Sequence, residues 1–120
     1  AALVWAAVWG RLAPLVAMQA FPYLRADAGT AAFHRAHWRG WAREFAPSLL
    51  LLGLLSGVAL GLGWPAWAGL GWCGLLPALL VPWALGRRLG GHSGDSYGAC
   101  VEWTHTWCLL LWGVLLLLSR

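Results

Sequence analysis

The chain alternates long apolar runs with two short polar intervals. Residues 45–86 contain no charged side chain. That is about twice the ~20 residues needed to cross a bilayer, so the interval predicts two spans joined by a turn. Trp64-Pro65-Ala66-Trp67 supplies the turn with interfacial aromatics, which divides the interval into spans over 47–63 and 68–85. A first span over 1–24 is apolar apart from Arg11 and Gln19, and Phe21-Pro22-Tyr23-Leu24-Arg25 ends it with a helix breaker and interfacial side chains. A fourth span covers 97–118. The leucine-rich runs do not alternate in the manner of barrel strands. The pattern therefore predicts an all-α polytopic membrane protein. It has about four transmembrane helices and one short interfacial helix, forming a single transmembrane domain over 1–120 with no internal repeat.

Within these runs, three features suggest how helices pack or bend. Gly53, Gly57 and Gly61 recur every four residues, which predicts a small-residue stripe for close helix contact. Pro77 and Pro82 predict a kinked third span. In the polar interval, Asp27-Ala28-Gly29-Thr30 reads as a turn and 31–45 as the interfacial helix. Arg35, Arg39 and Arg43 are spaced by four, with Trp38, Trp41 and Phe45 on neighbouring faces. Arginines directed at headgroup phosphates account for that pattern. The same arginines gripping a substrate's phosphates are the alternative.

Composition supports this division. Hydrophobic residues make up 61% of the chain and charged residues 10%, against roughly 25% charged in globular proteins. A sequence pI near 9.6 admits nucleic-acid binding in principle. The basic residues, all arginine, instead sit beside apolar spans, so topology explains them and no nucleic-acid partner is expected. Residues 25–44 and the Arg87-Arg88 pair lie on one side of the bilayer, joined by an out-and-back hairpin. The positive-inside rule makes that side cytoplasmic. Cys73, Cys100 and Cys108 lie in apolar stretches without metal or redox spacing and read as small buried hydrophobes. The chain opens on Ala1 inside an apolar run, which reads as part of a longer protein.

Candidate chemistry concentrates in residues 87–105, Arg-Arg-Leu-Gly-Gly-His-Ser-Gly-Asp-Ser-Tyr-Gly-Ala-Cys-Val-Glu-Trp-Thr-His. Asp95 or Ser96 is expected to cap the fourth helix, whose free N–H groups favour an anion. Gly98, Glu102, His105 and Thr106 then share a face, with Asp95 one turn earlier. This polar stripe, ~17 Å deep at ~1.5 Å per residue, predicts a pocket open to the cytoplasm rather than a transmembrane path. Glu102 and His105 have the Glu-x-x-His spacing of metal ligands, although such a pair is more often a hydrogen bond. Magnesium held by Asp95 or Glu102 together with substrate phosphates is the better expectation. The glycine loop lacks the lysine of a P-loop. Arg11, about 18 Å from Tyr23 along a helix, lies near mid-membrane and needs a partner, for which Glu102 is the candidate, unless it snorkels.

Arg88-Leu89-Gly90-Gly91-His92-Ser93-Gly94-Asp95-Ser96-Tyr97-Gly98-Ala99, followed by Glu102 and Thr104, resembles the C-terminal signature of the cobalamin synthase family. Gly10-Arg11, Phe21-Pro22-Tyr23-Leu24-Arg25, Gly29 and Phe33 resemble that family's middle section. The resemblance implies a magnesium-dependent, multi-spanning enzyme of the bacterial inner membrane. Such an enzyme joins α-ribazole, or its 5′-phosphate, to adenosylcobinamide-GDP and releases GMP. It implies catalytic roles for Asp95, Glu102 and His105, with Asp95 also a magnesium ligand. Arg11, Arg25, Arg88, Gly90, Gly91, Ser93 and Gly94 would bind substrate: the arginines neutralise phosphate and the glycine turn admits the pyrophosphate. His105 stands where the family has glutamate, and the family's acidic Asp-rich signature has no counterpart here, so the chain by itself is expected to be inactive. A small membrane scaffold or transporter subunit, whose polar stripe serves only packing, is the reading from a different class.

Overall fold

The computed structural model describes residues 1–24 and 30–119. It contains helices α1 (Ala2–Ala20), α2 (Thr30–Ala36), α3 (Trp41–Gly61), α4 (Pro65–Gly71), α5 (Leu75–Leu89) and α6 (Gly94–Leu118), with a 3₁₀ turn at Trp72–Gly74 between α4 and α5. No strand occurs among the described residues. Four stretches are long and apolar enough to cross a membrane: Ala2–Ala20, Trp41–Gly61, Pro65–Leu89 and Gly94–Leu118. The fold is an all-α polytopic membrane bundle.

Helix α1 is the pillar. In its spanning window 44% of residues are buried inside the bundle, against 11% for α3 and 17% for α6. It packs against α6, α5 and α3. Lipid tails are as apolar as leucine, so helices in a bilayer associate through close packing and hydrogen bonds. Here the packing is ring into notch. Side chains added at Gly71 and Gly74 would collide with the Trp5 and Trp9 rings, and one at Gly86 would lie 2.6 Å from the Phe21 ring. The partner helix thus replaces three side chains by hydrogen where α1 presents its aromatic rings. The Trp9 indole N–H donates to Gly71 O at 2.7 Å, which satisfies a polar group away from water.

The 3₁₀ turn has a local cause. Pro77 has no N–H for Cys73 O, and its ring crowds that carbonyl. Around Trp72–Gly74 the hydrogen bonding tightens, with Leu75 N–H on Trp72 O, while Gly71 O accepts the indole. The irregularity of the third span therefore centres one turn before Pro77, and Pro82 lies buried within α5.

Other boundaries and packing surfaces depart from expectation. The first helix stops at Ala20, because Phe21 is already extended ahead of Pro22. A continuous helix over 31–45 does not form. The helix α2 ends at Ala36, and α3 begins at Trp41 after Gly40 at φ 95°. Arg35, Arg39 and Arg43 consequently belong to a helix, a connection and a second helix, and share no face. The Asp27-to-Gly29 part of the expected turn lies outside the described residues. Nothing lies within 4 Å of a side chain built at Gly53, Gly57 or Gly61. That stripe makes no close helix contact among the described residues, because α3 is peripheral. The packing glycines lie instead on α1, α4, the 3₁₀ turn and α5. All three cysteines are free thiols, Cys100 and Cys108 buried and Cys73 half-buried.

The ring-in-notch seating predicts opposite outcomes for two glycines. Gly74→Ala should destabilise the bundle by about 1–3 kcal/mol, the usual range for overpacking. Gly57→Ala, with open space around it, should leave stability unchanged or slightly raised. Denaturant titration of both variants in the same detergent checks this, and equal midpoints would overturn the packing account.

Candidate functional site

The glycine loop is built by two helix termini and a distant segment. Gly90, at φ 74°, closes α5 in the left-handed conformation, and Gly91 N–H returns to Gly86 O at 3.1 Å. Gly91, at φ 151°, has Pro22 O only 2.6 Å from where a Cβ would lie, so only glycine lets the two backbones meet. They join at an isolated parallel bridge between Tyr23 and His92. His92 N–H donates to Pro22 O at 2.9 Å, and Leu24 N–H to His92 O at 2.8 Å. The two segments that carry the family resemblance thus pair directly.

His92 secures that junction. Its ring is fully buried, with Nε2 3.0 Å from Pro82 O and Nδ1 3.0 Å from Ser96 Oγ. A carbonyl can only accept, so Nε2 carries a proton, and in the neutral ring Nδ1 is an acceptor facing the Ser96 hydroxyl, whose one proton it shares with Ser93 O at 3.1 Å. The ring stacks on Tyr97 with centroids 5.4 Å apart and meets Phe21 edge-on. Burial lowers its pKa from the usual range, and the bond to Pro82 O opposes that shift. Sequence reasoning assigned His92 no role. A polar residue flanked by glycine signals a loop, and its partner Pro82 becomes visible only when α5 and α6 are juxtaposed.

The N-terminus of α6 is capped by Ser93 rather than by Asp95 or Ser96. Ser93 and Ser96 form a reciprocal capping box, with Ser93 N–H on Ser96 Oγ at 2.7 Å and Ser96 N–H on Ser93 Oγ at 3.4 Å. The spacing also fits Ser-x-x-Ser, and extended geometry at Ser93 decides it. Asp95 follows in the first turn, where its charge complements the helix dipole. It is exposed, and no described side chain or backbone group pairs with its carboxylate. Gly94 and Arg88 are also exposed, with Arg88 in the last turn of α5. Arg25 lies outside the described residues.

The remaining predicted residues sit deeper and do not converge on the loop. Asp95, Gly98, Glu102 and Thr106 form an outward, exposed strip on α6, while Tyr97, Cys100, Thr104 and Cys108 face inward. The strip is an open face of this chain rather than an enclosed pocket, because α1 covers the opposite side of the helix. His105 leaves the strip. Its imidazole sits over Gly10 of α1, where an added Cβ would collide with it. Its Nε2 is buried without a hydrogen-bond partner, as is Thr104 Oγ1. Arg11, beside Gly10, lies at that same level, about 18 Å along α6 from Ser93 at ~1.5 Å per residue. It is exposed, and no ion pair joins it to Glu102. The expected Arg11–Glu102 pair is absent because both side chains point away from the bundle.

These residues do not make a magnesium site on their own. No group of three His, Cys, Asp or Glu side chains able to hold a metal occurs among the described residues. Asp95 and Glu102, seven residues apart on one helix, are separated by about 10 Å along its axis, too far to share one ion. His105 turns away from Glu102's face, which removes the Glu-x-x-His alternative. The loop end offers exposed arginine side chains and the first turn of a helix, which suit an anionic group, beside the exposed Asp95 carboxylate, which suits a proton or a cation.

Comparison with known proteins fits this arrangement. The family description "Cobalamin-5-phosphate synthase" matches residues 1–113. The chain is 54% identical to the adenosylcobinamide-GDP ribazoletransferase of Prochlorococcus marinus (strain MIT 9313), over 96% of this chain and 46% of that protein. It is 43% identical to the protein of the same name from Thermosynechococcus vestitus, over 93% of this chain and 43% of the relative. The corresponding figures for the Synechocystis sp. protein are 37%, 91% and 42%. The chain therefore spans less than half the length of these curated relatives. No solved structure matches it. Matched along nearly its whole length, with its two signature segments paired at one end of the bundle, the chain belongs to the cobalamin-5-phosphate synthase family.

Proposed function

We propose that this chain is the phosphate-positioning part of an adenosylcobinamide-GDP ribazoletransferase. The single observation supporting this is the backbone clamp between Tyr23 and His92. It brings the two signature segments together beside the exposed Asp95 and Arg88 side chains. In the reaction a hydroxyl of α-ribazole, or of its 5′-phosphate, attacks the phosphorus attached to cobinamide. The bond to GMP breaks, and the hydroxyl proton leaves with a base. Such transfers depend on positioning and charge neutralisation. Asp95 orients the hydroxyl and accepts its proton, and Arg88 and Arg25 neutralise phosphate charge. Gly90, with no atom within 4 Å of an added Cβ, leaves room for the pyrophosphate. Gly91 has a different task, because Pro22 fills the space beside it. Ser93 and Gly94 hold the first turn of α6 toward the phosphate.

Magnesium would neutralise the phosphates when bound, with Asp95 as the ligand from this chain and phosphate oxygens as others. Carboxylates beyond these 120 residues would complete such a site, and the activity belongs to that longer protein. Glu102 and His105 lie too deep for contact at the loop. On this reading Glu102 faces the part of the enzyme that covers the α6 strip, and His105 fixes α6 on α1. The loop end faces the cytoplasm of a bacterial inner membrane, which follows from the arginine-rich flanks of α2 and α5.

Asp95→Asn in the membrane-embedded full-length protein should lower GMP release from adenosylcobinamide-GDP and α-ribazole by at least ~100-fold, the scale of general-base loss. Membrane insertion should be unchanged. Turnover at the wild-type rate would sink the role of Asp95, and no turnover by the wild type would favour the scaffold reading.

The buried imidazole predicts a pH dependence of loop docking. His92 is held neutral, so the undocked ring binds a proton more readily than the docked one. Docking is then fully favourable above the unperturbed value of about 6.5 and weakens as pH falls below it. Amide exchange at Leu24, corrected for its intrinsic pH dependence, should speed up between about pH 7.5 and about 5.5. His92→Gln should remove that response, and persistence of the response in the variant would assign it elsewhere.

A further inference from the structure

Arg35 is an arginine with only one of its three guanidinium nitrogens engaged. It projects from α2 across the end of α1, where Nη1 faces Phe21 O at 3.2 Å, Met18 O at 3.5 Å and Tyr97 Oη at 3.4 Å. A guanidinium carries five N–H donors in a planar fork. Those on Nη2 and Nε find no acceptor among the described residues. The half-buried side chain lines an open hollow of 470 Å³ together with Pro22, Tyr23, Ala32 and Ala36. No carboxylate is among the described lining residues. The hollow lies at the loop end of the bundle, because its wall residue Tyr23 is bridged to His92. That wall is set by a stack in which Tyr23 lies on Tyr97 at 6.1 Å and Tyr97 on His92 at 5.4 Å.

We propose that this hollow is a phosphate-binding site in which Arg35 presents its free edge to two phosphate oxygens. The Nη1 bonds to the terminal carbonyls of α1 fix the plane of the fork, so little side-chain freedom is lost when an anion binds. Parallel N–H donors match the oxygen spacing of a phosphate, and such charge-assisted pairs are about twice as strong as neutral ones. The same chemistry fits a soluble phosphate ester, such as a nucleoside diphosphate, and a phospholipid headgroup. The site does not depend on the transferase reading, since it is defined by binding without turnover.

Isothermal titration in dodecyl maltoside, which contains no phosphate, separates the sources with three probes: inorganic phosphate, GDP and phosphatidylglycerol. At least one should bind, and Arg35→Gln should weaken it by ~10-fold or more, the usual effect of losing a charged hydrogen-bond pair. Preference for GDP identifies a nucleotide site, and preference for phosphatidylglycerol a lipid site. Arg35 also anchors α2, so a second variant avoids that contact. Ala36→Glu, at an exposed rim position, should place a carboxylate on the free edge and reduce binding by a similar factor, while Ala36→Gln should bind within ~2-fold of wild type. The site is refuted if the wild type binds none of the probes, or if Ala36→Glu binds as Ala36→Gln does.

Discussion

Close approach at glycine is the constraint on which the rest of this bundle depends. In a bilayer, burying an apolar side chain between helices gains little over leaving it in lipid. Association has to come from dense contact and from polar groups that find partners. The pillar helix α1 meets both demands with aromatic rings. Trp5, Trp9 and Phe21 enter spaces where the α4–α5 span has only hydrogen at Gly71, Gly74 and Gly86. Gly10 reverses the relation by admitting the His105 ring from α6. The indole bond from Trp9 to Gly71 adds a directional tie between residues 62 positions apart.

This scheme reaches the candidate site through the end of the pillar. Phe21, seated against Gly86, is the first extended residue beyond α1, and the strand-like step after it carries Pro22 to the Gly91 backbone. The loop is therefore positioned by the core packing rather than by its own turn chemistry alone. His92 then joins three elements: α5 through Pro82, α6 through Ser96 and Tyr97, and the end of α1 through the Phe21 ring. Arg35 adds α2 through the carbonyls at the end of α1 and the Tyr97 hydroxyl. Residues that orient the loop are buried and paired, while Asp95 and Arg88 beside it are exposed.

The exposed strip of Asp95, Gly98, Glu102 and Thr106 has a plain physical meaning beside the length of the relatives. Charged side chains on a membrane helix are costly against lipid. This chain covers less than half of each of the three relatives compared. An outward acidic strip on α6 is consistent with protein rather than lipid covering that face in the longer enzymes.

The helical membrane class, the four spans and the location of the glycine loop were legible in the sequence, because hydropathy and helix breaking are local sums over neighbouring residues. The family was legible too, through segments quoted residue by residue. The tertiary structure alone decided which glycines pack. The regular Gly53, Gly57, Gly61 stripe meets nothing, whereas the irregular Gly71, Gly74 and Gly86 each receive a ring. It also decided that Ser93 caps α6, that His105 leaves the polar strip for α1, and that Arg11 and Glu102 stay apart. Spacing along one helix fixes which residues share a face, but not which face its neighbours cover. For His92 and Arg35 the deciding partners lie on other elements, and only folding sets their distance.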